Sequence, residues 1–250
     1  VEALLLLAGA GLLAGAMNAL AGGGSFVSLP ALIAVGVPSV AANASSTVAL
    51  YPGGLASAWV YRTGLSNICG VSARVMLAVT LVGGLAGSLL LLLTPSDAFD
   101  LVLPWLLLLA TLALAFGRRI APWLQSHVRL GAGPILGIQF GLGIYGGYFG
   151  GAVGLMMLAA WSLLGQVDVK ALNPPRTLMV SAANTIAVLC FVLAGVVHWR
   201  ETLVLGAAAI VGGYLGAVIG KRLDPKVTHA ATVVLSVAMT VAFFVRAWRG

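Results

Sequence analysis

Arg176 is the residue whose charge could most directly hold a ligand. It stands in Asn173-Pro174-Pro175-Arg176-Thr177, early in an apolar stretch. Facing a cavity, it would be a fixed countercharge for an anion. At the edge of the bilayer, it would only mark topology. The tandem prolines predict a helix start or break beside it. Asn173, Thr177, Ser181 and Asn184 fall at i, i+4, i+8 and i+11, one stripe of a helix. Asn43, Ser45, Ser46 and Thr47 form a second polar cluster. Such amides and hydroxyls can donate to an oxyanion. Alternatively, the hydroxyls bond back to their own helix and the asparagines join helices. Tyr51, Tyr145, Tyr148 and Trp161 either border a cavity or serve as packing and interfacial anchors.

The second kind of chemistry lies in the backbone. Gly22-Gly23-Gly24 and Gly150-Gly151 each precede a short apolar segment. A helix that starts inside a membrane exposes unpaired N–H groups and the positive end of its dipole. Glycine lets an anion approach that backbone closely. Two such tips meeting near the midplane would cradle an anion without needing a basic side chain. The competing reading is that these glycines only allow tight helix packing.

Other chemistries find little support. The acidic residues Glu2, Asp97, Asp100, Asp168, Glu201 and Asp224 all sit at segment ends or in loops. A carboxylate proton relay within the membrane is therefore not expected. His127, His198 and His229 also fall in or near loops. Cys69 and Cys190 lack metal or redox spacing and read as apolar fillers. No catalytic set, metal cluster or nucleotide-binding loop appears, so neither an enzyme nor a cofactor is expected.

The elements that position these residues follow from composition. Hydrophobic residues make up 61% of the 250-residue chain and charged residues 8%. Mean hydropathy is +1.10. A soluble domain has about a quarter of its residues charged, so the lipid bilayer is the fitting solvent. The net charge of +7 comes without a basic run, so nucleic acid is not an expected partner. Ten apolar segments are predicted, at 3–21, 25–36, 41–61, 71–93, 100–117, 131–149, 152–165, 171–197, 201–220 and 227–247. The second and seventh are too short for the ~20 residues of a full span and read as parts of broken or re-entrant hairpins. The first stretch lacks a basic flank and begins Val1-Glu2, so a cleaved signal is not expected.

Suppose that segments 1–2 and 6–7 each return to their starting side. One face then collects Arg62, Arg74, Arg118, Arg119, Arg129, Lys170, Lys221, Arg222 and Lys226, and the other collects Arg200, Arg246 and Arg249 with Asp97 and Asp100. The first face is then cytoplasmic and both termini lie outside.

The chain also repeats itself. Gly15, Gly22, Gly23 and Ala31 recur as Gly143, Gly150, Gly151 and Ala159. After two inserted residues, Ala41, Asn43 and Thr47 recur as Ala171, Asn173 and Thr177. Val82-Gly83-Gly84 and Gly87 recur as Val211-Gly212-Gly213 and Gly216. The expected fold is an all-α polytopic membrane protein of two five-segment repeats. Residues 1–120 form the first, 121–130 a basic cytoplasmic linker and 131–250 the second. An odd number of segments per repeat inverts the second copy, which suits alternating access about a central site. The duplication alone would also be compatible with no transport role.

The stretch Gly15-Ala16-Met17-Asn18-Ala19-Leu20-Ala21-Gly22-Gly23-Gly24-Ser25, then Pro30 and Asn43-Ala44-Ser45-Ser46-Thr47, resembles the TauE/SafE family of sulfite exporters. The resemblance covers essentially the whole chain. It is strongest over 11–62 and 143–195. The second copy departs from it: Ala152, Val153 and Leu158 replace Gly24, Ser25 and Pro30. The resemblance implies movement of a small sulfur-containing anion (sulfite, sulfonate or thiosulfate) across a bacterial inner membrane. The candidate substrate-binding residues are Gly22, Gly23, Gly24, Ser25, Asn43, Ser45, Ser46, Thr47, Gly150, Gly151, Ala152, Asn173, Arg176, Thr177 and Ser181. A negative-inside potential drives anions outward, so export as uniport is the expected mode. An anion channel using the same cradle is the alternative. A membrane-embedded enzyme or sulfur-carrier partner lacks a reactive cysteine near the motifs, and an assembly subunit would leave the polar stripe unexplained. A homo-oligomer is compatible with the pattern.

Overall fold

The computed structural model describes residues 2–63, 66–68, 70–127, 130–162, 169–220 and 225–249. Cys69, Arg129, Asp168, Lys221, Arg222 and Asp224 lie outside that set. The described residues form ten helices: α1 (Glu2–Ala21), α2 (Ser25–Ala34), α3 (Ser39–Val60), α4 (Ala73–Leu93), α5 (Ser96–His127), α6 (Ala132–Tyr148), α7 (Val153–Ser162), α8 (Val169–Leu193), α9 (Trp199–Gly220) and α10 (Pro225–Arg249). There is no strand among them, only an isolated bridge between Ile68 and Val71.

Six helices are long and apolar enough to cross a membrane: Glu2–Leu20, Ala73–Leu93, Ser96–Gly117, Ala171–Leu193, Trp199–Ile219 and Lys226–Trp248. The other four differ for physical reasons. α2 and α7 have 10 residues each, about 15 Å of helix, or half a bilayer core. α6 has 17 residues. α3 has 22 but carries the 43–47 polar cluster, of which Asn43, Ser45 and Ser46 are buried in the protein. A helix shielded by other helices can carry polar groups that a lipid-facing helix cannot. Large apolar side chains lie exposed on other helices: Leu93, Leu193 and Trp248 are 80%, 86% and 87% exposed.

Two boundaries differ from the sequence expectation. α5 does not stop with its apolar run near residue 117 but continues to His127, so 121–127 of the expected linker is helical. Arginine is a good helix former, and hydrophobicity can end where the helix does not. α8 neither starts nor breaks at the tandem prolines. It begins at Val169 and runs through Pro174 and Pro175. The missing N–H groups leave carbonyls one turn earlier without their usual helical donors.

Glycine decides the closest packing. α1 runs parallel to α9, and α4 parallel to α6. A Cβ on Gly83 would lie 2.6 Å from the Phe140 carbonyl oxygen and 3.0 Å from the Gly143 Cα. Gly212 meets the Leu12 carbonyl in the same way, one repeat over. Gly87 against Ile144 is matched by Gly216 against Ala16. These are backbone-to-backbone contacts of the kind small residues permit between membrane helices.

Contacts between helix ends set the two faces. The Ser39 hydroxyl donates to the Ser96 carbonyl (3.2 Å), and the His198 backbone N–H donates to the Ser45 hydroxyl (3.0 Å). The Tyr148 hydroxyl donates to Thr94 (3.4 Å). Asp97, Asp100 and Arg246 line one surface pocket. The starts of α3, α5 and α9 and the ends of α4 and α10 therefore share a face, called here the Asp97 face. The C-terminal end of α3 with Arg62 and the start of α4 with Arg74 lie opposite, at the Arg62 face.

Candidate functional site

α1 and α6 end in the same way. Gly22 has φ +75° and Gly150 φ +79°. The Gly22 N–H donates to the carbonyls of Met17 (3.2 Å) and Asn18 (3.1 Å), and the Gly150 N–H to that of Tyr145 (3.1 Å). This is the left-handed glycine cap that stops a helix and turns the chain. The chain then starts α2 or α7, where the N–H groups of Phe26, Val27 and Ser28 already donate to Gly23 and Gly24, and those of Leu155 and Met156 to Ala152. This leaves the N–H groups of the residues just before them without a helical carbonyl. The two starts are not identical. Gly24 has an ordinary φ of −57°, whereas Ala152 holds φ +56°, a conformation that costs a non-glycine residue about 1–3 kcal/mol.

Both tips line one cavity of about 180 Å³, which also takes in the middles of α3 and α8. Room for a small oxyanion with a few waters follows, since each water occupies about 30 Å³. Its walls come in repeat-related pairs: Gly22 and Gly150, Ser25 and Val153, Thr47 and Thr177, Leu50 and Val180, Tyr51 and Ser181, Gly54 and Asn184.

Arg176 lines this cavity. Its repeat counterpart, Ser46, does not: it is 1% exposed and hydrogen-bonded to Ser28 at 2.6 Å. The neighbouring position explains how the arginine fits. A Cβ on Gly154 would lie 3.4 Å from the Arg176 Cδ and 3.6 Å from its Cγ. The counterpart of Gly154 is Phe26, a ring 1% exposed. One half thus carries a buried phenyl ring at this position, and the other a glycine against the stem of an arginine.

Residues 7–243 match the family described as Sulfite exporter TauE/SafE. The chain belongs to the TauE/SafE family. Three relatives extend the likeness. "Probable membrane transporter protein YfcA" of Escherichia coli (strain K12) is 30% identical, covering 92% of this chain and 85% of the relative. "Probable membrane transporter protein ORF9" of Sinorhizobium sp is 24% identical over 93% and 88%. A "Probable membrane transporter protein" of Haemophilus influenzae is 28% identical over 96% and 94%. No solved structure matches the chain. This TauE/SafE chain is thus a multi-pass membrane transporter.

Of the residues singled out in the sequence, Gly22, Ser25, Thr47, Gly150, Ala152, Arg176, Thr177 and Ser181 line the TauE/SafE cavity. The others lie elsewhere. A Cβ on Gly24 would be 2.7 Å from the Ala14 carbonyl oxygen, one on Gly23 3.1 Å from Thr232, and one on Gly151 about 2.5 Å from the Phe149 ring. Asn43 donates its amide to the Tyr148 carbonyl (2.8 Å). Ser45 and Ser46 are committed to His198 and Ser28. Asn173 is half-buried near the start of α8 and does not line the cavity.

The cavity hydroxyls of Thr47, Thr177, Ser181 and Tyr51 have spent their protons. Thr47 and Thr177 donate to the carbonyls of Asn43 and Asn173, both at 2.9 Å. Ser181 donates to Gly54 (3.0 Å). Thr185 donates to Ser181 (2.7 Å), so in its 2.9 Å contact with Tyr51 the phenol is the donor. Ser25 and the amides of Asn18 and Asn184 then border the cavity with hydrogens suited to an anion, and Arg176 adds a positive charge to its wall. Asn184 ends the polar stripe visible in the sequence. Leu50 and Gly54 carried no signal of their own. Leu50 and Gly54 could be reached only through their match to Val180 and Asn184, and Asn18 only as part of the family-like Gly15–Ser25 stretch. Tyr145 and Trp161 are packing groups, bonded to the Leu106 carbonyl and to Gln139.

Proposed function

We propose that this chain is a secondary transporter that moves a small sulfur-containing anion, of the sulfite, sulfonate or thiosulfate type, outward across a bacterial inner membrane. The observation that carries the reading is the cavity itself. Glycine hairpin tips from both halves border it together with Arg176, midway along α3 and α8. Backbone N–H groups and one guanidinium are the donors a small oxyanion needs in a low-dielectric site. The description of the matching family, sulfite exporter, points to the same ligand chemistry.

Alternating access is supported by symmetry in the packing. The pairs α1–α9, α3–α9 and α2–α10 have α6–α4, α8–α4 and α7–α5 as counterparts when the halves are exchanged, while α3–α8 and α5–α10 map onto themselves. That is what two inverted five-helix repeats would produce. On this reading the Arg62 face is cytoplasmic and both termini lie outside. A potential of 100 mV, negative inside, then favours export by about 2.3 kcal/mol per anionic charge.

The test is flux through the purified chain in proteoliposomes. Saturable, voltage-driven movement of sulfite, competed by thiosulfate or a simple sulfonate, is the expected result, with counterflow separating a carrier from a channel. No flux of any of the three would end the proposal. Flux that ignores voltage and follows a proton gradient would end the uniport mode.

A further inference from the structure

The two halves match in sequence position but not in how tightly they close. At the start of α3, Ala42, Asn43, Ala44, Ser45 and Ser46 are all at most 2% exposed, and the Asn43 amide holds the Tyr148 carbonyl at the end of α6. The counterpart of that bond would run from Asn173 to the Leu20 carbonyl at the end of α1. Among the described residues that bond is not made, and Asn173 and Arg176 are only half-buried. A second, independent seam shows the same difference. Gly84 of α4 packs on Ala183 of α8, a Cβ there lying 3.5 Å from the Ala183 Cβ. The counterparts, Gly213 of α9 and Gly53 of α3, instead line a gap of about 370 Å³. Asn18 and Leu50 border both that gap and the central cavity. At both seams the contacts nearer the Asp97 face are therefore tighter than their counterparts nearer the Arg62 face.

We infer that Asn43 and Asn173 are alternating latches, positioning residues that tie the start of one long helix to the hairpin-helix end of the other half, one latch per state. Asn43 holds Tyr148 when the Asp97 face is shut. Asn173 takes the Leu20 carbonyl when the Arg62 face shuts, as α9 closes on α3 and α4 parts from α8. One amide-to-carbonyl bond replaces its equivalent, so neither state is strongly favoured, as a reversible carrier requires. This rests on the transporter reading above, but its test does not need the substrate to be known.

Two cysteine pairs in a background lacking Cys69 and Cys190 provide that test. Gly84→Cys with Ala183→Cys has a Cβ separation within disulfide range. It should cross-link readily and hold the Asp97 face shut. Gly53→Cys with Gly213→Cys should cross-link poorly in that locked protein, and well only when the first pair is absent and the chain is free to cycle. In a separate reporter, Leu50→Cys is labelled with an impermeant maleimide from each face of oriented vesicles. Asn43→Ala should raise labelling from the Asp97 face by about five- to tenfold, the population shift expected for one lost hydrogen bond, and Asn173→Ala should lower it. Equal cross-linking of both pairs in the locked protein would overturn the inference. So would unchanged labelling in Asn43→Ala accompanied by a tenfold loss of sulfite affinity, the signature of a ligand rather than a latch. Absence of sulfite flux alone would remove the substrate reading and leave these outcomes standing.

Discussion

In the first half of the molecule, Phe26 and Ser46 are sealed into protein. At the matching places in the second half, Gly154 leaves space and Arg176 fills it. The same comparison holds at the hairpin tips. Gly22 and Gly150 adopt one backbone conformation, yet Gly24 is relaxed where Ala152 is left-handed. Two glycine turns of similar φ border one cavity, and a few side-chain differences put the positive charge on one side of it. On the proposed transporter reading, such a scaffold would permit two opposite states, with one arginine as the countercharge in both.

The strongest way to break that comparison is to remove the one-sided charge. Arg176→Ala should lower sulfite transport in proteoliposomes by about ten- to hundredfold, from the ~1.5–3 kcal/mol of a charged hydrogen bond. Arg176→Lys should keep part of it, because charge survives while the planar fork is lost. Next in size, Gly154→Phe would give the second half the first half's ring. Flux should fall about tenfold or more as the arginine stem is displaced, while thermal stability in detergent changes less than for a truncated core residue. Arg176-independent flux in that variant would show that the space is not what the arginine needs.

The symmetric part of the comparison is sharpened by stability. Gly87→Ala and Gly216→Ala should each cost about 1–3 kcal/mol in detergent unfolding, since each methyl would enter backbone of the neighbouring helix. Gly9→Ala meets nothing within 4 Å and should lose no stability. Smaller still, Ser46→Ala should cost about 1 kcal/mol through its bond to Ser28 and leave flux within twofold. A large flux defect there would return Ser46 to the ligand set. Smallest, Ala152→Gly should stabilise the second tip by a few tenths of a kcal/mol up to about 1, as relief of φ strain is partly offset by unfolded-state entropy.

Much of the architecture could be read from local pattern. Apolar runs marked all ten helices, and the Gly22 and Gly150 breaks marked the two half-length ones. The site was legible only where local chemistry pointed into the cavity, as at Arg176 and the tips. Asn43, Ser45 and Ser46 looked like ligands because they are polar, clustered and in an apolar chain. Their partners, Tyr148, His198 and Ser28, lie 105, 153 and 18 residues away, so nothing nearby announced that these groups were already satisfied. Asn18 had the opposite problem: its neighbours in sequence are apolar, and only folding brings it beside Thr47 and Arg176.

The amino-acid order alone determined the solvent, the number of helices, where the hairpins turn and the duplication, because each depends on the composition and spacing of neighbouring residues. Tertiary structure decided which polar groups face open space and which face protein, and which of two equivalent seams is shut. Those outcomes depend on contacts between residues that are 18 to 153 positions apart in the cases above, which no local pattern encodes.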